Sequence, residues 1–344
     1  MLPLLFRSLD RLGMASVPAS VVAELAAAYR ANAIRNALFA HELTRVLSVL
    51  DRAGIPVIPL KGVALAESLY GDMTLRVCSD LDILVPRSMA KRALEGLGTM
   101  DYRAEFTGRF FADLLLCHDI ECALVRRSRG IEHSVDLHWG IAWGGSRDEL
   151  ATNELWAAAQ RTRFRGIPAC ALSPEWELLF LALHAARHRW QGLKWLADIH
   201  ELCVRDGIDW SLVREKAGRF GWGRVLHITL AVSRFLLNTP VPAEFAGGPL
   251  PTWLKTFPAD PEPPGNWRDA LFPIRLFPRP SERLRHLARL LLVPTLADHR
   301  LVRLPSYLGP LYYPLRPVRL GGKWLWHAVR ASAGRVVSAR AARE

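Results

Sequence analysis

Two aspartates separated by a single residue are the first candidates for chemistry in this sequence. Asp80 and Asp82 begin the run DLDILV, whose alternation and β-branched residues predict a strand. Side chains two residues apart on a strand share one face, about 6 to 7 Å apart along the strand. Two such carboxylates repel each other unless a cation lies between them, and Mg²⁺, which prefers oxygen ligands, suits the position. The alternative is a strand with a polar, solvent-facing edge, because Asp-x-Asp alone is a common sequence.

Three neighbouring features favour the cation site. Lys61 and Gly62 follow a short β-type run and precede an apolar helical segment. At such a turn a glycine lets backbone N–H groups approach a phosphate, and a helix N-terminus favours anions. Arg76 stands four residues before Asp80, near enough to contact a triphosphate, and Asp136 lies on a later β-like run. Together these residues predict a site for a metal ion and a phosphate-bearing ligand.

A later helical segment carries further candidates. His184 and His188 are four residues apart on one predicted helix face, a spacing that can bind zinc. A third ligand is not evident, so a structural or supporting role is the favoured interpretation. Lys194 and Asp198 have the same spacing, which indicates a surface ion pair worth a few tenths of a kcal/mol.

The elements that must position these residues follow from the hydrophobic pattern. Apolar residues recur at helical spacing from 18 to 52, and strand-like runs then alternate with helical ones as far as a hairpin predicted for 119–125 and 132–139. From Ser173 onward the pattern is helical, because Ser-Pro followed by two glutamates is a typical helix start. This order predicts an α+β fold, with a small mixed β-sheet core, N-terminal helices and a mainly helical C-terminal region.

Charge is concentrated at the C-terminal end of the 344-residue chain. Half of the residues are hydrophobic and 23% are charged, as in a globular protein with a core. The net charge is +12, and residues 268–344 hold 15 Arg or Lys against 4 Asp or Glu, which gives +11. Within it, cationic residues from Arg275 to Arg289 flank the apolar run RLRHLARLLLV. This segment is compatible with a peripheral membrane contact, with nucleic-acid binding or, as the default, with a solvated helix whose apolar face points inward. The arginines from 330 to 343 are expected in a frayed terminus.

The cysteines and the hydropathy bear on location. Five cysteines without a CxxC pair are typical of reduced thiols, which predicts a cytoplasmic protein without a disulfide scaffold. No run approaches the roughly 18 apolar residues that a membrane-spanning helix needs.

The acidic pattern resembles the nucleotidyltransferase superfamily that includes DNA polymerase beta. The shared features are a glycine turn after a strand, Asp-x-Asp on the next strand and one Asp on a later strand. The chain is more closely similar to a bacterial branch of uncharacterised nucleotidyltransferases. The similar segments are LKGVALAESLY, Arg76, SDLDILV, VDLHW, the run SPEWELLFLALHAARHRWQGLKWLADIHEL at 173–202 and LPSYLGPLYYPLRPVRL at 304–320.

The resemblance implies specific roles and boundaries. Asp80 and Asp82 would bind two Mg²⁺ ions that bridge a triphosphate, and Asp136 would complete the second metal site and help to activate an acceptor hydroxyl. The nucleotide would be bound by Lys61, Gly62, Arg76 and Lys194. The expected segments are an N-terminal helical segment at 1–54, a catalytic core at 55–172, a helical domain at 173–238 and a Pro-rich connector with the basic C-terminal region at 239–344.

The implied reaction is transfer of a nucleoside monophosphate, AMP from ATP or its equivalent from another nucleoside triphosphate, to a hydroxyl of a small molecule, sugar or protein. One departure is visible, because the superfamily usually has Gly-Gly or Gly-Ser at the turn and here Val63 follows Gly62. Two alternatives stay open. One is a non-catalytic relative that binds a nucleotide or a partner, and the other is a nucleic-acid-directed transferase, which no RNA-binding motif supports.

Overall fold

The computed structural model describes residues 1–104, 109–128, 130–142, 146–205, 207–246, 250 and 271–322. They form two compact units. The first contains residues 1–104 and the described residues from 119 to 250, and the second contains 109–118 and 271–322.

Two helices begin the first unit, α1 (Leu2–Arg11) and α2 (Ala19–Arg52). The second half of α2 is buried along one stripe because apolar residues recur there every three or four positions. Leu43, Val46 and Leu47 belong to this stripe and are almost fully buried. The helical periodicity of residues 18–52 therefore predicted α2 correctly.

A five-stranded mixed sheet follows, in the order β1-β2-β5-β4-β3. Only β2 and β5 pair in parallel, and the other neighbours are antiparallel. β4 and β5 form the hairpin that the sequence predicted. The strand bounds are β1 (Ile58–Pro59), β2 (Leu81–Leu84), β3 (Arg103–Ala104), β4 (Glu121–Ser128) and β5 (Ile131–His138).

The two parallel strands lie in the interior of the sheet. All four residues of β2 are buried, which is typical of a strand with neighbours on both edges and cover on both faces. Helix α3 (Gly62–Tyr70) connects β1 to the loop before β2, and α4 (Ala90–Gly98) follows a short 3₁₀ turn after β2. This alternation of strand and helix confirms the predicted α+β class.

The rest of the first unit is mainly helical. Helix α7 is buried along most of its length and packs against α8, α9 and α10. A small hairpin of β6 and β7 precedes it. The elements are α6 (Ser146–Ala158), β6 (Gln160–Phe164), β7 (Ile167–Ala171), α7 (Pro174–Arg187), α8 (Leu193–Val204), α9 (Trp210–Phe220), α10 (Gly223–Leu237) and α11 (Ala243–Ala246).

The second unit joins α5 (Arg109–His118) to α12 (Pro280–Leu292), α13 (Leu296–Leu301) and the helical residues 312–322. Its core contains Phe111, Leu114 and Tyr312. Asp298 is fully buried, caps α13 and accepts hydrogen bonds from two arginines of the last helical segment.

None of the described helices is both long enough and apolar enough to cross a membrane. Most of the predicted Pro-rich connector and the arginines from 330 to 343 lie outside the described residues.

Candidate active site

The two parallel strands bring the predicted aspartates together. Asp82 on β2 is the register partner of Asp136 on β5, so the two residues face each other across adjacent strands. Asp80 stands one residue before β2. Asp82 is buried, whereas Asp80 and Asp136 are partly exposed. The structure therefore places Asp82 and Asp136 side by side on neighbouring strands, with Asp80 just before the first of them.

The Asp82 carboxylate is held by two cationic or proton-donating neighbours. Lys61 Nζ lies 2.7 Å from Asp82 Oδ1, and His138 Nε2 lies 3.2 Å from the same oxygen. Burial alone would raise the pKa of Asp82, but the charge of Lys61 and the contact with His138 outweigh it and hold this pKa well below its usual range. Asp82 is therefore ionised at neutral pH.

His138 is connected on its other side to an acidic residue that the sequence analysis did not single out. His138 Nδ1 lies 3.0 Å from Glu121 Oε2, and Arg187 NH1 donates a 3.0 Å hydrogen bond to that same oxygen. Burial would lower the pKa of His138, but Asp82 and Glu121 outweigh it and raise this pKa. The predicted hairpin could have revealed Glu121 as a site residue, because the register of its two strands pairs Glu121 with His138.

Asp80 and Asp136 differ from Asp82 in lacking partners. Among the described residues, neither carboxylate has a hydrogen-bond or ion-pair partner. Burial, followed by the negative charge of Asp82, raises the pKa of Asp136 to about 6. The described residues contain no three His, Cys, Asp or Glu side chains that converge as a ready-made metal site. A bound cation would neutralise the charge of these two carboxylates.

The predicted glycine turn lies beside this charge. Gly62 begins α3 with a φ of +67°, a backbone conformation that favours glycine. The Cβ that a larger residue would carry at Gly62 would come within 3.5 Å of the Asp80 carbonyl oxygen, so the turn directly adjoins the aspartates. Val63 is fully buried, which explains the departure from Gly-Gly or Gly-Ser, since this position fills the core. Lys61 Nζ also lies 3.3 Å from both ring nitrogens of His184.

Arg76 is placed differently from the other predicted nucleotide ligands. Its guanidinium is buried and pairs with Asp198, with Nε at 3.1 and 3.0 Å from the two carboxylate oxygens and NH2 at 3.0 Å from Oδ2. Tyr70 donates a further hydrogen bond of 2.9 Å to Asp198 Oδ1. Asn36 on α2 donates to the Arg76 carbonyl, which fixes the loop before β2. In this arrangement Arg76 joins that loop to α8.

Lys194 lies near the aspartates without an ion pair of its own in the described chain. Its Nζ is 5.5 Å from the centre of the Trp195 ring. Burial lowers the pKa of Lys194, as does the charge of Arg76, while the negative charge of Asp80 acts in the opposite sense. Asp198 is fully buried and bound to Arg76, so the surface ion pair offered as an alternative for Lys194 is not what forms.

His184 in α7 and His188, which directly follows this helix, both pack against an aromatic ring. His188 stacks on Trp195 with ring centres 4.3 Å apart, and His184 contacts the edge of the same ring. Burial lowers the pKa of both rings, to about 4 for His188. These contacts agree with the supporting role that the sequence favoured.

The mixed sheet with its Asp-x-Asp and facing Asp defines a nucleotidyltransferase. Residues 1–238 match the model of a family described as uncharacterised nucleotidyltransferase, and the chain belongs to this family. No curated protein matches the sequence.

Several solved structures are similar in part. The crystal structure of ANT(2'')-Ia in complex with adenylyl-2''-tobramycin has 14% identity and a TM-score of 0.38, over 53% of this chain and 97% of that one. The solution structure of the same antibiotic-resistance factor has 13% identity and a TM-score of 0.35, over 54% of this chain and 90% of that one. The crystal structure of an antigenic nucleotidyltransferase-like protein from Paracoccidioides brasiliensis has 17% identity and a TM-score of 0.36, over 58% of this chain and 88% of that one.

Proposed function

We propose that this nucleotidyltransferase transfers AMP from ATP to a hydroxyl of a small molecule, sugar or protein, with Mg²⁺ bound by Asp80, Asp82 and Asp136. The observation that carries the proposal is the register of Asp82 with Asp136 on adjacent parallel strands, next to Asp80. Three carboxylates from two strands supply only oxygen donors, the donor set that a hard divalent cation prefers.

The neighbours of the carboxylates support a cation at this position. Asp80 and Asp136 have no side-chain partner among the described residues, and Asp82 already attracts the ammonium of Lys61 to 2.7 Å. Bound Mg²⁺ ions would neutralise charge on the triphosphate and on the departing pyrophosphate.

The nucleotide would bind through its phosphates at the start of α3. The first N–H groups of a helix have no partner within the helix and attract anions, and Gly62 allows a phosphate to approach the backbone closely. Lys61 stands at the N-cap of this helix, and Lys194 adds a second positive charge in the electrostatic range of Asp80. Arg76 would act indirectly, by fixing the loop that leads to Asp80.

Asp136 would also help to activate the acceptor hydroxyl. Burial and the negative charge of Asp82 raise its pKa to about 6 when no cation is bound, and a bound cation would lower it again. In the reaction, the acceptor oxygen forms a bond to the α-phosphorus, the bond from that phosphorus to the oxygen bridging to the β-phosphate breaks, and pyrophosphate leaves with the electron pair. The hydroxyl proton passes to Asp136.

The proposed location is the cytoplasm. This proposal rests on the sequence, in which five cysteines without a CxxC pair are typical of reduced thiols.

The test uses each of the four ribonucleoside triphosphates, labelled on the α-phosphate, with Mg²⁺ and a set of hydroxyl acceptors that includes aminoglycosides, sugars and serine- or tyrosine-containing proteins. The proposal expects a labelled acceptor together with one pyrophosphate released per transfer, with ATP as the preferred donor. Release of inorganic phosphate instead of pyrophosphate would contradict it, because the bond broken would then be at the γ-phosphorus.

A further inference from the structure

Helix α12 in the second unit is half-buried along one side and exposed along the other. None of its 13 residues is buried, although seven of them are apolar by type. The exposed fractions are 69% for Leu284, 52% for Leu291 and 54% for Leu292. The default expectation for this segment was a solvated helix whose apolar face points inward. The half-buried Leu287, Ala288 and Leu290 fit that expectation, whereas Leu284, Leu291 and Leu292 face solvent outside the covered side.

The exposed leucines form one stripe. Leu284 and Leu291 are seven residues apart, which is about two helical turns, and Leu292 lies next to Leu291 around the helix. Arg285 and Arg289 follow the edge of this stripe, one turn apart. An apolar stripe bordered by arginines is the pattern of a helix that lies in the interface of a bilayer, with leucines among the acyl chains and arginines at the headgroups.

The surrounding unit carries the charge that such a surface needs. Residues 271–322 contain nine arginines and only two acidic residues, Glu282 and Asp298. Asp298 is fully buried and pairs with Arg316 and Arg319, which leaves seven arginines against Glu282 in this range. Further large apolar residues of the same unit are exposed, including Leu301 at 62% and Tyr307 at 80%.

We propose that α12 binds the surface of an anionic lipid bilayer. Charge distinguishes this occupant from a second copy of the chain, because two copies joined through α12 would bring two arginine-rich surfaces together. Apolar exposure distinguishes it from a nucleic acid, which would pair with the arginines and leave the leucine stripe in water. An anionic bilayer would contact the arginines with its headgroups and bury the leucine stripe among its acyl chains.

The test is flotation of the full-length protein with vesicles of phosphatidylcholine alone and with vesicles that also contain phosphatidylglycerol. We expect binding to the anionic vesicles only, and binding that falls steeply as salt is raised, because exposed charges are screened. Leu284→Gln combined with Leu291→Gln should weaken the partition about tenfold or more. Arg285→Gln alone should weaken it about fivefold, as expected for one arginine near an anionic surface.

A matched control uses an exposed apolar residue of the first unit. Ile34 on α2 is 67% exposed, and Ile34→Gln should leave vesicle binding unchanged. Circular dichroism establishes whether each variant is folded. If the double leucine variant is unfolded, Arg285→Gln still tests whether this surface binds the vesicles.

Three results would overturn the proposal. Equal binding to neutral and anionic vesicles would show that charge does not contribute to binding. Binding by the double leucine variant at the native level would show that the leucine stripe does not contribute. Absence of vesicle binding would also overturn it, whether the surface then binds single-stranded RNA or joins two chains in solution. The assay contains no nucleotide, so its outcome does not depend on the proposed reaction.

Discussion

The ammonium of Lys61 lies 2.7 Å from the Asp82 carboxylate, and both side chains are more than nine-tenths buried. Lys61 stands at the start of α3 and Asp82 on β2, so the pair joins the proposed phosphate-binding turn to the proposed metal ligand. A buried ion pair of this kind depends on both members, because loss of one leaves the other charge without compensation. The lysine thus supplies positive charge at Asp82 when no other cation is present.

Lys61→Met should therefore destabilise the protein in a way that a metal ion can repair. Without divalent cations we expect a loss of about 3 kcal/mol in the free energy of unfolding, because Asp82 remains buried and charged. Millimolar Mg²⁺ should recover part of this loss in the variant. Urea unfolding with and without Mg²⁺ measures both effects.

The control for Lys61→Met is Arg127→Met, which removes an exposed ion pair with Glu132. Such pairs contribute less than about 1 kcal/mol, so stability should change little and Mg²⁺ should have no specific effect. A loss in Lys61→Met that Mg²⁺ leaves untouched would argue against a cation at Asp82.

Asp136→Asn should stabilise the protein while removing the proposed transferase activity. The pKa of Asp136 is raised to about 6 in the folded protein, so ionising it in the fold is unfavourable. The resulting penalty is complete above about pH 6 and fades as the pH falls towards the unfolded value of about 4. At about pH 8 without metal, the variant should gain about 1 to 2 kcal/mol, after allowance for partial exposure. Unfolding at about pH 8 and about pH 4 would show a gain at the higher pH only, and equal gains at both would refute this explanation.

Asp198→Asn should reveal a structural role for Arg76. The variant leaves the Arg76 guanidinium buried with a neutral partner, and we expect a loss of about 3 kcal/mol or more in unfolding free energy. Glu132→Gln, which disrupts an exposed arginine pair, is the matched control and should cost less than about 1 kcal/mol. Comparable small effects from both variants would show that the Arg76 pair does not hold the loop before β2.

Glu177 on α7 should make stability depend on pH near neutrality. Burial, reinforced by the charge of Asp198, raises its pKa to about 7. The folded protein therefore keeps this proton to a higher pH than the unfolded chain does, and stability falls as the pH rises from about 4.5 to about 7. Glu177→Gln should remove about 2 kcal/mol of this fall at about pH 8 and have no effect below about pH 4.

The control for Glu177→Gln is Glu95→Gln, at an exposed position of α4. This substitution should leave the pH dependence unchanged. If Glu177→Gln shifted stability equally at every pH, the effect would come from packing and not from ionisation.

The local pattern of the sequence was sufficient for the strands that carry the aspartates, but not for β3 or for the hairpin of β6 and β7. Strand periodicity predicted β2 and the β4–β5 hairpin, and a two-residue period is enough to place Asp80 and Asp82 together. The facing position of Asp136 follows once β2 and β5 are neighbours. Those predictions depend on short-range geometry, which the order of residues encodes directly.

Contacts between distant segments were not predictable in the same way. Arg76 and Asp198 are 122 residues apart, and nothing in either local pattern indicates that the two side chains meet. Arg187 is likewise 66 residues from Glu121. The exposure of Leu284, Leu291 and Leu292 on α12 was unpredictable for a related reason, since periodicity shows that a helix has an apolar face but not how much of it the protein covers.

The central claim is that the aspartates bind a metal–nucleotide complex, and the most direct measurement is calorimetric titration with ATP in the presence of Mg²⁺. The comparison is between the native protein and the variant with both Asp80→Asn and Asp136→Asn, two carboxylates without partners among the described residues, so the variant should fold normally. We expect saturable, Mg²⁺-dependent binding by the native protein and none by the variant. Binding of equal affinity in the folded variant, or no binding by the native protein, would contradict the account.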